Sequence, residues 1–392
     1  MKNGMHDRRW FGMMALAAVL LAGLAGSAFA ADWPGEATSW KGHAVHAFEI
    51  DGHAVRVYVP QTPFAEKPWL LLDAGEAGDV EEMLLDRGFH VVVAELPDPY
   101  GSPGALKVWD AVYKAMTQEY GLHEKVALKG VGPGGLQLHY WAADNAKKVA
   151  CLVADCPVLD FKAWLAGTGK TAPQPDTWQA FMKAHGYTSE DDALKSRRNP
   201  IDMTAPLAKE KTPILHLSKY GDPDRPYKDQ TAAFQKAYYD AKGFYMALIM
   251  KPNDAPEKGL DAPLAIANFI LTNTLDGACK PKAGLPESWK DWRISEFDRT
   301  GAVYVEGDTV LLEMGNDMSG ITRVGDFPKM NYEITLDAQR VAGDDFFCGL
   351  TFPVNDDPCS LILGGWGGTT CGISCLDFND AANNETTRYR EF

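Results

Sequence analysis

A glycine-rich segment, GVGPGG at residues 130–135, joins an apolar strand pattern to a helical pattern. Glycine-rich turns in that setting either cradle a phosphate with backbone N–H groups or expose a nucleophilic side chain. The segment lacks the Lys-Ser/Thr ending of a P-loop. It matches a dinucleotide-binding G-x-G-x-x-G only through Gly130, Gly132 and Gly135, without an acidic ribose partner. We therefore expect no nucleotide site here.

The same segment has the strand–turn–helix setting of a nucleophile elbow, G-x-S-x-G, with Gly130 and Gly134 as its flanking glycines. With the surrounding residues 125–160, it makes the chain resemble exported bacterial α/β-hydrolases of the prolyl-oligopeptidase and esterase type. The resemblance covers about residues 38–275. It implies a doubly wound, mostly parallel α/β sheet and an ancestry among serine hydrolases. We expect no cofactor.

Two groups that such an elbow needs are missing. The nucleophile position is Gly132, which carries no side chain. The next residue donates its backbone N–H to the oxyanion hole in this family, but here it is Pro133, which has no N–H. Loss of one oxyanion donor alone costs about a hundred- to a thousandfold in rate. Loss of the nucleophile removes covalent catalysis altogether.

The acid of the family's triad follows a late strand, where this chain has YGDPDRP at residues 220–226. The segment resembles the family's G-D-x-D with two residues deleted. The acid position is then Asp224, or Asp222 if the alignment is anchored on Pro226. The same composition is equally typical of an ordinary acidic turn.

The family's histidine follows the last strand, but the nine histidines of this chain end at His216. The carboxylates in the last loop are Asp254 and Glu257. A carboxylate is a much weaker base than imidazole at neutral pH unless burial raises its pKa. The base is therefore missing along with the nucleophile.

Other candidate residues give no clearer site. His139 on a helix and His216 on a strand are expected to be packing or surface residues. Cys156 could be proposed as a thiol nucleophile with His185, but no spacing supports the pair, and a buried cysteine is expected instead. Because no H-x-H, H-E-x-x-H or paired C-x-x-C occurs, we expect no metal site.

Strand and helix patterns alternate over the first two thirds of the chain, which indicates βα units on a mostly parallel sheet. Candidate strands are residues 46–50, 54–59, 69–73, 90–95, 125–129, 150–155, 214–218 and 245–251. Candidate helices are residues 79–87, 105–120, 135–145, 176–185, 190–197, 228–242 and 263–272. The first two strands read as a hairpin through Asp51-Gly52. Residues 158–212 read as a helical insertion that covers one end of the sheet as a lid.

The pattern changes near residue 276. Residues 276–286 are predicted to be a linker, and residues 287–392 an all-β sandwich. Its candidate strands are residues 302–306, 309–314, 331–339, 346–352, 360–364 and 372–376. These are fewer strands than such sandwiches usually have, so we expect an incomplete domain.

The stretch FFCGLTFP at residues 346–353, followed by GGWGG at residues 364–368, resembles the concanavalin A-like lectin and glucanase sandwich. Many proteins of that kind hold a sugar by stacking an aromatic ring on it. Trp366 is therefore the candidate ligand-binding residue. The alternative is that Trp366 is a core residue and the glycines form bulges or tight turns.

The N-terminal residues 1–30 read as a secretory signal peptide, because Lys2, Arg8 and Arg9 precede a short apolar run and small residues end it. We expect cleavage after Ala30, a periplasmic or secreted protein, and no membrane attachment afterwards. The chain carries a net charge of -15, and the mature part about -17. Such an acidic surface repels nucleic acid.

Seven cysteines in an exported chain invite disulfides. If Cys371 and Cys375 lie on one strand, they are roughly 13 Å apart at about 3.3 Å per residue. A disulfide needs Cα atoms within about 7 Å. The odd count also leaves a thiol free, so we predict no disulfide framework.

Three functions remain open. The first is a non-catalytic protein that binds a small molecule or polysaccharide in the former cleft. The second is an active hydrolase of the esterase or peptidase kind that uses unconventional groups such as Asp224 and Glu257, which only ancestry supports. The third is carbohydrate recognition by the β domain.

Overall fold

The computed structural model of the protein describes residues 32–73, 75–219, 221–244, 246–251, 263–278, 283–297, 299–315, 318–341 and 345–390. The leader at residues 1–30 lies outside these ranges, as do Asp254 and Glu257. Cleavage of the leader and a carboxylate base in the last loop therefore stay predictions. Within the described ranges, no helix has the length and apolarity needed to cross a membrane.

A nine-stranded mixed sheet forms the centre of the fold. Its strands are β1 (Thr38–Trp40), β2 (His43–Ile50), β3 (His53–Val59), β4 (Trp69–Leu72), β5 (His90–Ala94), β6 (Val126–Val131), β7 (Val149–Asp155), β8 (Ile214–Ser218) and β9 (Met246–Met250). They lie in the order β1-β2-β3-β5-β4-β6-β7-β8-β9, with β1 to β3 antiparallel and the other six parallel to one another. The predicted hairpin and the predicted α/β-hydrolase-like sheet are confirmed.

Helices cover both faces of the sheet. They are α1 (Asp79–Asp86), α2 (Pro103–Gln118), α3 (Gly134–Asp144), α4 (Pro175–His185), α5 (Glu190–Lys195), α6 (Thr204–Lys209), α7 (Thr231–Asp240) and α8 (Pro263–Thr272). In β4, Trp69 and Leu71 point to the core under α2 and α3, while Leu70 and Leu72 point to the core under α1 and α8. Every residue of β4, β5 and β7 is buried, which explains why these strands are apolar except for His90 and Asp155 at their ends.

Residues 158–212 form the expected group of short helices between β7 and β8. Their aromatic side chains pack together, with ring centroids of Phe161 and Phe181 4.6 Å apart and Trp178 stacked 5.6 Å from Phe181. The His185 ring bonds the Tyr100 carbonyl at 3.0 Å and so attaches α4 to the loop before α2. The insertion is thus a packed part of the fold, and its role as a lid stays a prediction.

Beyond residue 283 the structure has small antiparallel sheets, and the predicted concanavalin A-like sandwich is not confirmed. The strands are β10 (Trp292–Ile294), β11 (Val303–Glu306), β12 (Thr309–Leu312), β13 (Ile321–Arg323), β14 (Cys348–Val354), β15 (Asp357–Gly364), β16 (Thr370–Ser374) and β17 (Arg388–Tyr389). They pair as β10-β13, β11-β12 and β14-β15-β16-β17. The hydrophobic residues buried here are few, namely Val303, Tyr304, Ile362 and Ala381 among the described ones.

The strand predicted at residues 331–339 is wrong. Its apolar positions alternate, yet Ile334 and Leu336 are exposed and the segment has no regular structure. A strand needs a neighbour to satisfy its backbone hydrogen bonds, and no described strand pairs with this segment.

Polar contacts join the β11–β12 hairpin to the helices α1 and α8 that cover the large sheet. Arg87 donates to Glu306 at 3.0 Å, and Asn268 of α8 donates to Glu313 at 3.2 Å. The boundaries at residues 38–275, 276–286 and 287–392 stay predictions.

Candidate functional site

The candidate site lies where β6 turns into α3. Gly132 follows β6 in a left-handed conformation with a φ of 55°. Its N–H donates to the Asp155 carbonyl at 2.9 Å, and its own carbonyl accepts from the N–H groups of Gly135 (3.0 Å) and Val158 (2.9 Å). The tight strand-to-helix turn of a nucleophile elbow is therefore present and attached to β7. Its apex carries no side chain.

Beside this turn stands Asp73, at the end of β4. A Cβ placed on Gly134 would lie 1.5 Å from Asp73 Oδ2 and 2.4 Å from its Cγ. The backbone N–H of Asp73 donates to the Lys129 carbonyl of β6 at 3.3 Å. Glycine at position 134 is thus required by the close approach of a carboxylate. The sequence analysis missed Asp73, because only the sheet order brings β4 next to β6.

Pro133 takes the N-cap position of α3, with a φ of -59°. In the family, the two oxyanion donors are the N–H of this residue and an N–H from the loop that here runs from β4 to α1. Proline supplies no donor, and that loop begins with the Asp73 carboxylate. The turn therefore lacks one of the donors that the family uses and has the Asp73 side chain beside it.

A buried ion pair links the ends of β7 and β9. Lys251 Nζ lies 2.9 Å and 2.8 Å from the two carboxylate oxygens of Asp155, and the lysine side chain is fully buried. Burial raises the pKa of Asp155, and the neighbouring Lys251 opposes that shift. Carboxyl ends of parallel strands share one edge of a sheet, so the pair could have been suggested from the two strand ends. Lys251 follows β9, the last strand of the sheet. The family has its histidine in the same part of the fold.

The two candidate acids differ in their surroundings. Asp222 is buried, and one of its oxygens accepts from the N–H groups of Asp224 (3.0 Å) and Arg225 (2.9 Å). Its other oxygen lies 3.6 Å from the Arg225 guanidinium. Asp224 is exposed. These contacts are those of an aspartate that closes its own turn, which matches the ordinary acidic turn left open by the sequence.

His139 and His216 are core residues rather than bases. His139 Nδ1 donates to the Gly135 carbonyl at 2.7 Å, because a carbonyl can only accept, and its Nε2 lies 3.1 Å from His216 Nε2. Both rings are buried. Burial lowers the pKa of His139 to about 4 and that of His216 well below its usual range. Both rings are therefore neutral at pH 7.

Cys156 and His185 serve packing as well. Burial raises the pKa of the Cys156 thiol to about 12, so it stays protonated and is a poor nucleophile. His185 contacts Tyr100 and the ring of Phe181, 4.3 Å away. The hypothetical thiol–imidazole pair has no support from these contacts.

Buried neutral histidines should make the protein sensitive to mild acid. Burial lowers the pKa of His90 and His139 to about 4, whereas the unfolded chain binds their protons near pH 6.5. Below pH 6.5 the unfolded state therefore holds more protons, and the free energy of unfolding falls. We expect a loss of about 1–2 kcal/mol for each of the two residues between pH 7 and pH 5, measured by urea unfolding at constant ionic strength.

The control for this loss is His53, a partly exposed residue at the start of β3. A His90→Leu variant should lose stability less steeply with falling pH than the parent, while His53→Gln should keep the parent slope. A stability that stays level from pH 7 to pH 5 would contradict neutral buried rings.

The described residues contain no group of three or more His, Cys, Asp and Glu side chains that could hold a metal. Open depressions occur on the described surface of the α/β part, and two of them have been delimited. One, of about 540 Å³, lies between α2 and α3 beside Tyr113 and Lys148, and the other, of about 330 Å³, lies along β2 and β3 beside Phe48 and Arg56. Neither is lined by residues of the elbow.

Trp366 sits on a tight turn between β15 and β16. Gly364, Gly367 and Gly368 have positive φ values, and Trp366 itself has a φ of 45°. The Trp366 side chain is 51% exposed, with its ring centroid 5.9 Å from that of Phe346. The expected tight turn is present, but the tryptophan is a surface residue and not part of a core.

Comparisons with known proteins are limited to fold. No family model matches the chain, and no curated protein matches it. Among solved structures, it is similar to a Mycobacterium tuberculosis puromycin-hydrolyzing peptidase, with 15% identity over 59% of this chain and 39% of that one, at a TM-score of 0.48.

The chain is also similar to a putative dipeptidyl aminopeptidase IV from Bacteroides ovatus, with 15% identity over 58% of this chain and 35% of that one and a TM-score of 0.45. Its similarity to Est1E from Butyrivibrio proteoclasticus has 16% identity over 60% of this chain and 99% of that one and a TM-score of 0.43. The chain thus spans well under half the length of the two peptidases.

Proposed function

We propose that this protein is a non-catalytic α/β-hydrolase-like protein that binds a small molecule or a polysaccharide instead of cleaving it. The observation that carries the proposal is the elbow itself. Gly132 and Pro133 remove the nucleophile and one oxyanion donor, while the turn keeps its shape.

Electrostatics at the elbow oppose catalysis further. A tetrahedral intermediate of acyl transfer carries a full negative charge, which active enzymes stabilise with aimed donors. Here the Asp73 carboxylate lies against Gly134, at the start of α3. Like charges repel, so a charged Asp73 beside this turn would disfavour an oxyanion that formed there. The positive end of the α3 dipole is already beside the carboxylate.

Lys251 does not replace the missing base. Lys251, following the last strand, makes two charge-assisted hydrogen bonds to Asp155 and is fully buried. A protonated lysine held in this way cannot accept a proton from a nucleophile.

Export of this protein to the periplasm or the medium is part of the same proposal, and it rests on the leader pattern at residues 1–30. The acidic net charge of -15 makes neutral or cationic ligands more suitable than nucleic acid.

Hydrolysis of p-nitrophenyl acetate tests the proposal. We expect the purified protein to be no faster than the same chain unfolded in urea. Gly132→Ser should raise the rate by less than about tenfold over Gly132→Ala, because the general base and an oxyanion donor are still missing. Saturable hydrolysis by the parent that is lost in Asp224→Asn or Glu257→Gln would instead support an active enzyme with unconventional groups.

Carbohydrate recognition at Trp366 is a second candidate, favoured by the exposed indole. The Trp366 ring stands on a tight turn beside Phe346. The Asp345 carboxylate accepts a hydrogen bond from the neighbouring Gly367 N–H at 2.8 Å. The flat apolar face of the indole therefore lies near a hydrogen-bond acceptor. Such a pair suits a sugar ring and its hydroxyls.

We expect Trp366→Ala to weaken glycan binding by the full chain at least about tenfold, or 1.4 kcal/mol. Trp292, also partly exposed, provides the control, since Trp292→Ala should leave binding unchanged. Equal binding by the Trp366→Ala variant on a glycan array would remove this candidate.

A further inference from the structure

The four-stranded sheet β14–β17 and its flanking turn carry four cysteines, namely Cys348, Cys359, Cys371 and Cys375. Side chains alternate between the two faces of a sheet, and residues directly opposite one another share a face. In the observed register Cys348 pairs with Leu363 and Cys359 with Phe352, so Cys348 and Cys359 share a face. Cys371 lies next to Gly372 on β16, and Cys375 directly follows the last residue of β16. None of the four is as deeply buried as Cys151 and Cys156 in the α/β core.

The pairing of β15 with β16 decides which thiols can meet. Ser360 pairs with Ser374, Leu361 with Ile373, and Ile362 with Gly372. Continuing this register by one residue sets Cys359 opposite Cys375. Directly opposed residues in antiparallel strands have Cα atoms about 4.5–5.5 Å apart, which lies inside the range of about 4.4–6.8 Å found in disulfides.

The same register separates the other two cysteines. Leu363 of β15 pairs with Cys348 of the neighbouring strand β14. Continuing the β15–β16 register by one residue sets Cys371 of β16 opposite the same Leu363. Two strand spacings of about 4.8 Å put these cysteines roughly 9.6 Å apart. Because a disulfide needs Cα atoms within about 7 Å, Cys348 and Cys371 cannot bond to each other.

We propose that Cys359 and Cys375 form a cross-strand disulfide when the protein meets a disulfide oxidant. Cys375 is exposed and Cys359 is partly exposed, so a small oxidant such as glutathione disulfide can reach them. The Cys375 thiolate attacks one sulfur of the oxidant and releases a glutathione thiolate. The Cys359 thiolate then attacks Cys375 Sγ of the mixed disulfide and releases the second glutathione. Two protons leave the protein thiols and two electrons reduce the oxidant.

This bond would fasten the turn that follows β16. Cys375 itself adopts a left-handed φ of 70°, and its N–H donates to the Asn379 carbonyl at 3.0 Å. The cross-link ties this turn to β15. Spacing along the chain does not indicate the pair, because Cys359 lies on β15 and Cys375 lies just after β16.

The test treats the full chain with glutathione disulfide and blocks the remaining thiols with iodoacetamide. We expect a mass about 2 Da below that of the fully reduced chain before blocking, and two fewer alkylated cysteines. A chymotryptic digest, which cuts between Cys359 and Cys371, should contain a cross-linked peptide pair that dithiothreitol separates.

Variants assign the bond. Cys359→Ser and Cys375→Ser should each abolish the cross-linked pair, whereas Cys348→Ser and Cys371→Ser should retain it. Four alkylated cysteines in the β14–β17 region after oxidation would overturn the proposal. So would a cross-link that survives in the Cys375→Ser variant.

Discussion

Replacing Lys251 with methionine is expected to lower the free energy of unfolding by about 3–5 kcal/mol, because it leaves the Asp155 carboxylate buried without its partner. The two groups make a bidentate contact at 2.9 Å and 2.8 Å, and the lysine is fully buried. Urea unfolding at pH 7, followed by circular dichroism, measures the loss.

The control for Lys251 is an exposed ion pair. Lys236 pairs with Asp240 on α7, and both side chains are mostly exposed. Lys236→Met should therefore change stability by no more than about 0.5 kcal/mol. The double variant Lys251→Met/Asp155→Leu should recover most of the loss, since a buried pair can be replaced by apolar side chains of similar size. Equal effects of Lys251→Met and Lys236→Met would show that the buried pair does not hold the two strand ends together.

Gly134→Ala is expected to destabilise the protein by about 1–3 kcal/mol, although alanine is the better helix former. The new Cβ would lie 1.5 Å from Asp73 Oδ2 and 3.0 Å from Asp73 Cβ, so the aspartate has to leave its place. Thermal unfolding monitored by circular dichroism measures the effect.

Gly130 supplies the matched control, because a Cβ there would meet its nearest atoms at 3.4 Å, an ordinary contact. Gly130→Ala should therefore cost less than Gly134→Ala. A double-mutant cycle with Asp73→Ala should show that the two sites are coupled, with the second change recovering part of the first loss. Additive effects would mean that Asp73 does not pack against the elbow.

Much of the α/β part could be predicted from the sequence, because its signals are local. The apolar runs of β4 to β9 and the helical patterns between them predicted the element order, and the glycine pattern located the turn at Gly132. Consecutive βα units then leave few ways to arrange the sheet.

What the sequence did not reveal depends on contacts between distant segments. Asp73 reaches the elbow only because β4 lies beside β6, and Lys251 meets Asp155 only across β8. The strand predicted at residues 331–339 is an error of the opposite kind, in which a local pattern predicted an element that does not form. Its alternation is a local signal, but a strand forms only where a neighbour accepts its hydrogen bonds. Trp366 likewise lies exposed on a turn with positive φ values, a conformation that composition alone does not determine.

Labelling with a fluorophosphonate probe tests most directly whether the elbow can attack an electrophile. The probe reacts covalently with an activated serine and needs both a nucleophile and its base. We expect the intact mass of the folded protein to stay unchanged after incubation with the probe. An adduct that forms on the folded chain, does not form on the unfolded chain and maps to a residue beside Gly132 would contradict a non-catalytic protein.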